Sequence, residues 1–245
     1  MDFYEQIAPY YHHIFPLNPS QVEFVKNSFT NPSRASLLEV GCGIGLLSFA
    51  LAPSFFKITA FDLDEGMLKE AQSSRQNLTI EPNCLEFLHL NMLHIGNQFG
   101  QESFDGVICF GNTLAHLDSK KSVLKFFLQA KEVLKPNGRL LFQVLNYDLI
   151  LDQHILSLPI IENETIRFER HYAFPIDPSI VEFKTILTIK KSQKEIVHCI
   201  PLLPIRKYEI EELLRLAGFS HYKIYGNYAR ELFGPECDSV VVEAS

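Results

Sequence analysis

A glycine-rich segment in the N-terminal third constrains the fold of this chain more than any other feature. Residues 37–47 read Leu-Leu-Glu-Val-Gly-Cys-Gly-Ile-Gly-Leu-Leu, with three glycines at alternate positions between two apolar runs. This pattern predicts a buried strand at 37–40 that turns sharply into a helix at 46–51. Glycines allow tight turns, and we expect the helix N-terminus to offer free N–H groups to an anionic ligand group. The segment therefore predicts a site for a nucleotide-like cofactor.

The rest of the N-terminal half alternates strands and helices. Strands are predicted at 56–61, 85–90, 106–110 and 140–145, and helices at 65–76 and 120–134. Asp64 is a predicted helix N-cap, and the sequence Pro136-Asn137-Gly138 is a helix stop signal. A helix at 208–216 and strands at 222–225 and 239–243 complete the pattern. Such alternation is typical of a doubly wound, Rossmann-like α/β fold with helices on both faces of a parallel sheet.

Between residues 146 and 206 the pattern changes. Extended segments at 166–174, 180–190 and 195–202 predict an antiparallel β insertion. Before the first strand, prolines interrupt a segment that predicts two short helices. We therefore predict an N-terminal helical cap at 1–33, a core formed by 34–145 and 207–245, and an insertion at 146–206 that forms a substrate lid.

Composition narrows the class of partner. The net charge of −7 argues against nucleic-acid binding as a main activity, and no apolar run is long enough to predict a membrane span. The first residues lack the basic and apolar regions of a secretory signal, and the five cysteines are an odd number without a Cys-x-x-Cys pair. These features predict a cytoplasmic protein with reduced thiols. No cluster has metal-ligand spacing, so no metal site is expected.

Asp62 stands at the end of the second predicted strand. A carboxylate at this position can accept hydrogen bonds from both ribose hydroxyls of an adenosine. The feature is shared by nicotinamide-dependent oxidoreductases, so by itself it leaves that class open.

An ordered set of motifs resembles the class I S-adenosylmethionine-dependent methyltransferases. The motifs are 39–45, Asp62 with 66–68, Asn91-Met92, 104–109, 134–140 and 217–219. The resemblance implies a seven-stranded sheet, mostly parallel with an antiparallel last strand, and S-adenosylmethionine as the cofactor, with S-adenosylhomocysteine as the product. It also implies a set of cofactor-binding residues: Tyr11, Glu39, Gly41, Cys42, Gly43, Asp62, Leu63, Met67, Asn91, Met92, Phe110 and Gly111.

A narrower likeness concerns the acceptor. Residues 110–117 and 146–148 resemble the matching segments of glycine N-methyltransferases and related small-molecule N-methyltransferases. This implies methyl transfer to a small-molecule acceptor, with an amine favoured. O-methylation of a small metabolite and a non-catalytic cofactor-binding sensor remain alternatives, and the chain is expected to be a monomer or a homodimer.

Candidate catalytic residues follow from the fold, because ligands in α/β sheets bind beyond the carboxyl ends of the strands. Methyl transfer mainly requires that nucleophile and methyl carbon are held in line, so no catalytic triad is needed. An arginine in the insertion could pair with a substrate carboxylate, and the N-terminal aromatics Tyr4, Tyr10, Tyr11 and Phe15 could cover the cofactor. The candidates after strands four and five and in the insertion are Asn112, His116, Asn146, Tyr147, Arg170 and Tyr172.

Overall fold

The larger sheet of the protein has seven strands and carries the glycine-rich segment in its centre. The computed structural model describes residues 3–76, 81 and 83–245, with the side chain of Phe3 left out; Met1 and Asp2 of the predicted cap lie outside the described residues. The sheet order is β10-β11-β5-β4-β1-β2-β3. Its strands are β1 Ser36–Val40, β2 Lys57–Asp62, β3 Leu85–His89, β4 Phe104–Cys109, β5 Leu134–Leu145, β10 Tyr222–Tyr225 and β11 Ser239–Ala244.

Pairing in this sheet is parallel from β5 to β3, and β11 is antiparallel to both of its neighbours. The predicted doubly wound fold with an antiparallel last strand is therefore confirmed. Strands β1 and β4 are buried on both faces, as central strands of a parallel sheet are. The helices of the described residues are α1 Phe3–Ile7, α2 Tyr11–Ile14, α3 Pro19–Lys26, α4 Leu46–Leu51, α5 Glu65–Gln76, α6 Ile95–Gln98, α7 Lys120–Val133, α8 Tyr147–Asp152 and α9 Lys207–Leu216.

Strand β5 begins earlier than predicted. The motif Pro136-Asn137-Gly138 was expected to separate a helix from a strand at 140–145, but the strand assignment starts at Leu134. The pairing with β4 jumps from Phe104↔Leu134 to Gly106↔Arg139. The stop signal therefore forms a bulge inside the strand, with Asn137 in the left-handed region at φ 64°.

The insertion forms a four-stranded antiparallel sheet with the order β6-β7-β8-β9. Its strands are β6 Ser157–Glu162, β7 Ile166–Ala173, β8 Val181–Ile189 and β9 Lys194–Leu202. The last three match the predicted extended segments. Two elements were not predicted: β6, and helix α8, which Asn146 caps by accepting a hydrogen bond from the Leu149 amide.

The N-terminal segment joins the two sheets. It contains three α-helices rather than the two predicted, because Pro9 and Pro19 start separate helical turns. Ile7 and Ile14 are buried in one cluster with Phe168 and Leu187 of the insertion. This packing holds the antiparallel sheet opposite the carboxyl ends of the parallel strands. Among the described residues, no helix has both the length and the apolar character needed to cross a membrane.

Candidate active site

Two connected cavities of about 450 and 580 Å³ lie between the carboxyl ends of the parallel strands and the inner face of the antiparallel sheet. We call the smaller one, which the predicted catalytic residues Asn112 and Arg170 line, the acceptor cavity. We call the larger one, which Asp62 and Asn91 of the predicted cofactor set line, the cofactor cavity. The residues that line both, and so mark their junction, are Tyr4, Tyr11, Gly41, Gly111, His116, His198 and Ile200. The site therefore lies at the crevice where β1 is flanked by β4 and β2, as expected for an open α/β sheet.

The glycine turn uses its own amides within the protein, whereas the free N–H groups predicted for the N-terminus of the following helix are not among these donors. The amides of Gly41 and Cys42 both donate to the Phe61 carbonyl, and the Gly45 amide donates to the Cys42 carbonyl. The Gly43 amide donates to the Asp62 carboxylate at 2.7 Å. The turn thus uses these donors internally, which does not suit a phosphate-bearing dinucleotide. All three glycines have positive φ, so the tight backbone itself explains their presence.

Asp62 is held by two backbone donors on its two carboxylate oxygens. Gly43 N–H donates to Oδ2, and Asp64 N–H donates to Oδ1 at 3.0 Å. Each oxygen keeps acceptor capacity toward the cofactor cavity, which Asp62 lines. Burial raises the pKa of Asp62 from its usual value, while these two hydrogen bonds oppose that rise. Such a carboxylate can accept one hydrogen bond on each oxygen from a ligand with two hydroxyl groups on adjacent carbons.

Glu39 is a buried carboxylate on the wall of the acceptor cavity, only 5% exposed. The Ser48 hydroxyl donates to its Oε2 at 2.5 Å. Burial raises the pKa of Glu39 to about 7, the Ser48 hydrogen bond opposes this, and the nearby Asp62 adds to it. A cationic ligand group beside Glu39 would favour the charged form, because an opposite charge compensates for lost solvation.

Tyr11 covers the glycine turn from the N-terminal side. A Cβ built on Gly43 would lie 3.5 Å from the Tyr11 ring, so the ring is in contact range of the turn. Burial raises the pKa of Tyr11 to about 12, and Asp62 adds to the rise. The hydroxyl is therefore neutral near pH 7 and remains a possible donor.

Asn91 has a local structural role as well as its place in the cofactor cavity. Its side-chain oxygen accepts the Leu93 amide at 2.9 Å and caps the short helical turn that follows. A ligand could still contact the second lone pair of this oxygen or the side-chain NH2 group of Asn91.

Every residue of the predicted cofactor set lines at least one of the two cavities. Of the predicted catalytic set, Asn112, His116 and Arg170 line the acceptor cavity. Asn146, Tyr147 and Tyr172 line neither cavity and are buried. The structure therefore brings together the cofactor set and half of the catalytic set.

The polar atoms of Asn112, Asn146 and Tyr147 are engaged within the protein. Asn112 donates to the Tyr147 hydroxyl at 3.0 Å and accepts the Leu145 amide at 3.0 Å. Asn146 donates to the carbonyls of Pro235 and Cys237. These bonds support the loop after β4 and the start of α8, because buried amides need partners.

Gln143 was missed by the sequence analysis. It is 8% exposed, lines the acceptor cavity, and accepts the amides of both Gly111 and Asn112 through Oε1. Its position in an apolar strand was the available signal, because a buried polar side chain in a core strand needs a specific partner.

A polar row crosses the inner face of the antiparallel sheet. Cross-strand pairing places Arg170 opposite Thr185, and Thr185 opposite His198. All three line the acceptor cavity. Thr185 and His198 were not singled out from sequence, because only the register between the strands places them beside Arg170.

Two members of this row have buried atoms without hydrogen-bond partners among the residues that the structure describes. They are Nε of Arg170 and Oγ1 of Thr185. Arg170 Nη2 donates to the Pro159 carbonyl at 2.8 Å. Burial lowers the pKa of Arg170. Buried polar atoms left unpaired are costly, so an acceptor group entering the cavity would be favoured at this point.

His116 lies at the junction of the two cavities, opposite the polar row. The Leu203 amide donates to the Ala115 carbonyl at 2.8 Å, which ties the end of β9 to the turn that carries His116. The His116 side chain is exposed toward the open space of the two cavities, and the protein groups on its other sides desolvate the ring. This desolvation lowers its pKa, and the facing His198 lowers it further. The ring is therefore neutral near pH 7, with Tyr4 Oη 3.5 Å from Nε2.

Within the described part of the chain, no group of three or more His, Cys, Asp or Glu residues is placed to hold a metal ion.

Comparisons with known proteins agree with this geometry. Residues 37–138 match a methyltransferase domain family. A glycine/sarcosine N-methyltransferase of Aphanothece halophytica is 27% identical over 211 residues, which cover 85% of this chain and 75% of that protein.

Two solved structures share the fold over almost the whole chain. An S-adenosylmethionine-dependent methyltransferase from Clostridium acetobutylicum ATCC 824 has a TM-score of 0.79 and 16% identity, covering 100% of this chain and 99% of that one. The CcbJ methyltransferase from Streptomyces caelestis has a TM-score of 0.81 and 18% identity, covering 99% and 96%. Residues 37–138 are thus matched as a methyltransferase domain, and the fold of the whole chain is the one seen in S-adenosylmethionine-dependent methyltransferases.

Proposed function

We propose that this enzyme methylates the amino nitrogen of a small acceptor that also carries a carboxylate. The observation that carries the proposal is the polar row Arg170–Thr185–His198 beside His116, with unpaired buried atoms on Arg170 and Thr185. The row supplies a site for an anionic group next to an imidazole that can accept a proton.

The residues of the cofactor cavity fit S-adenosylmethionine. Asp62 would accept the ribose hydroxyls. Glu39, on the wall of the acceptor cavity, would face the ammonium of the methionine part, whose positive charge would favour the ionised form of this buried carboxylate. Met67, Met92 and Leu63 supply apolar surface for the adenine. When bound there, the cofactor supplies a methyl group on a sulfonium, which is already activated toward a nucleophile.

Arg170 and Thr185 would hold the acceptor carboxylate. A guanidinium pairs well with a carboxylate through parallel hydrogen bonds, and the Thr185 hydroxyl adds a neutral donor beside it. Binding would satisfy the two atoms that are unpaired without it. The carboxylate thus orients the acceptor and places its amine toward the junction of the cavities.

His116 would receive the proton that an amine must lose to expose its lone pair. Its lowered pKa keeps the ring neutral near pH 7, so a ring nitrogen can accept. His198, on β9 of the antiparallel sheet, lines the same junction. We propose Asn112, Asn146, Tyr147 and Tyr172 as residues that position the walls, and the 146–206 insertion as the cover of the acceptor.

The relative named for glycine and sarcosine N-methylation supports nitrogen as the nucleophile. The choice between nitrogen and oxygen is tested with matched pairs of amino acids and 2-hydroxy acids of equal side chain. We expect S-adenosylhomocysteine to form with the amino acids and not with the hydroxy acids. Preference for the hydroxy acids would replace the proposal with O-methylation.

Arg170→Met tests the carboxylate site, and Arg167→Met is the matched control. Arg167 lies on the same strand but pairs with Glu162 and Glu169 at the surface. We expect Arg170→Met to raise KM for carboxylated acceptors about 10- to 100-fold, because a charged hydrogen-bonded contact is lost. Cofactor affinity should stay within twofold in both variants. Equal effects of the two substitutions would contradict the assignment.

A further inference from the structure

The acceptor cavity continues past the polar row into space with apolar walls. We infer that the acceptor is an amino acid with a large apolar side chain, of the size of leucine to phenylalanine, rather than glycine. This inference rests on the proposed function, since Arg170 and His116 fix where the carboxylate and the amine lie.

The register of the antiparallel sheet places apolar residues on both sides of the polar row. On one side, Phe168 lies two residues before Arg170 on β7 and lines the cavity. On the other, Phe183 and Ile200 are cross-strand neighbours and also line it. A carboxylate held by the row therefore has apolar surface immediately beside it in both directions.

The opposite walls are apolar as well. Leu46 and Leu47, at the start of α4, form part of the floor. Phe15 and Leu17 form part of the N-terminal wall, and the Phe15 ring stands edge-on to Phe168 with 5.9 Å between centroids. An aromatic or branched side chain could pack against these groups in the edge-to-face manner that such rings favour.

Size and energetics both disfavour glycine. A cavity of about 450 Å³ falls in the range of sites for drug-sized ligands, whereas the methionine end of the cofactor needs only the part beside Glu39 and Gly41. Glycine would leave the apolar walls in contact with water. Each additional methylene of the acceptor that is buried in an apolar pocket can raise kcat/KM relative to the smaller acceptor by roughly 10- to 200-fold.

The test uses the full chain with S-adenosylmethionine and four acceptors: phenylalanine, glycine, phenethylamine and methylamine. They vary the apolar group and the carboxylate independently. We expect kcat/KM for phenylalanine to exceed that for glycine by roughly 100-fold or more. Phenethylamine, which lacks the carboxylate, should be methylated about 10- to 100-fold less well than phenylalanine.

The outcomes separate the two proposals. Glycine used as well as phenylalanine would overturn the apolar acceptor and leave the carboxylated amine in place. Phenethylamine used as well as phenylalanine would support the apolar walls and overturn the carboxylate site. If the protein binds S-adenosylmethionine but methylates none of the four, both proposals fail.

A matched pair of variants on β6 provides a second readout. Leu158 lines the cavity next to Arg170, whereas Ile160, two residues along, is 48% exposed. Leu158→Phe should narrow the cavity and lower kcat/KM about tenfold more for phenylalanine than for glycine. Ile160→Phe should change neither. An equal loss for both acceptors in Leu158→Phe would contradict the inference.

Discussion

The two halves of the site are built in opposite ways. The cofactor half consists of turns that follow parallel strands, and its polar groups are clamped by the backbone, as Asp62 is by the amides of Gly43 and Asp64. The acceptor half is the face of an antiparallel sheet, where buried atoms of Arg170 and Thr185 lack partners among the described residues. The polar groups of the cofactor half are therefore held in place by the backbone before a ligand binds. The unpaired polar atoms of the acceptor half would instead form their hydrogen bonds with the ligand.

Substitutions in the two halves should affect stability and ligand binding differently. In the cofactor half, a change breaks bonds that exist within the protein, so stability and binding should fall together. In the acceptor half, removal of an unpaired polar atom costs no protein bond, so binding should fall while stability holds or rises.

The largest effect is expected for Gly41→Ala. A Cβ at this position would lie 2.6 Å from the Thr113 Cγ2 atom, and φ is +70°, so the variant is strained and crowded. We expect cofactor affinity to fall about 100-fold or more, together with a loss of unfolding free energy of about 1–3 kcal/mol. Isothermal titration with S-adenosylhomocysteine and urea denaturation measure the two.

Gly218→Ala is the control for Gly41→Ala. Its φ is +84°, but no atom lies within 4 Å of the built Cβ, and it is remote from both cavities. It should lose about 1 kcal/mol of stability from the backbone alone and bind the cofactor normally. Normal binding in both variants would show that the turn tolerates a side chain.

Glu39→Gln tests the electrostatics of the cofactor half. Because the folded pKa is raised from 4.5 to about 7, the cofactor-free protein holds an extra proton between these values. Its unfolding free energy should therefore fall by about 3 kcal/mol as pH rises from about 4.5 through 7, and stay level above. The glutamine variant should lack this component, as measured by urea denaturation at pH 4.5 and pH 8.

The matched control for that experiment is Glu65→Gln, whose side chain is 82% exposed. It should follow the wild-type pH profile. A glutamine variant at position 39 with the same profile as wild type would show that Glu39 does not change its protonation in this range.

Asp62→Ala is expected to weaken cofactor binding by about 1–3 kcal/mol, because ribose hydroxyls would lose their acceptor. The loss of the Gly43 and Asp64 hydrogen bonds would contribute to this effect. Comparing S-adenosylhomocysteine with its 2′-deoxy analogue separates the two contributions. If Asp62 contacts the ribose, the substitution should weaken binding of S-adenosylhomocysteine more than it weakens binding of the 2′-deoxy analogue.

The smallest effect, and the one with opposite sign, is expected for Thr185→Val. Valine has nearly the shape of threonine and removes a buried hydroxyl oxygen without a partner. We expect the unfolding free energy to rise by about 1 kcal/mol while KM for a carboxylated acceptor increases. Thr188→Val, on the same strand but facing the other way, is the control. A loss of stability in Thr185→Val would mean that the Thr185 hydroxyl has a hydrogen-bond partner within the protein, as the polar groups of the cofactor half do.

Most strands and helices were predictable, because their apolar periodicity is local. The exceptions are instructive. The bulge around Asn137 was predicted as a turn, since Pro-Asn-Gly has the same local preference in both settings and only the pairing with β4 decides between them. Helix α8 was missed because its six residues are too few to show a helical period, although Asn146 is a local N-cap signal.

For the site, Asn146 and Tyr147 show the same limit. Both follow strand five in sequence, as site residues do in this fold, yet both are fully buried. Gln143 lies within strand five itself, three residues before Asn146, and its side chain lines the acceptor cavity. The alternation of side chains along β5 and the packing of α8 decide which of them faces the ligand.

By itself, the sequence determined the parallel core and the identity of the cofactor. Glu39, the three glycines and Asp62 lie in short contiguous motifs whose backbone conformation is set by near neighbours. The tertiary structure alone decided that the glycine turn's amides are used internally, and that Arg170, Thr185 and His198 form one row opposite His116. Cross-strand register is fixed by the packing of whole sheets, so no local pattern could place that row.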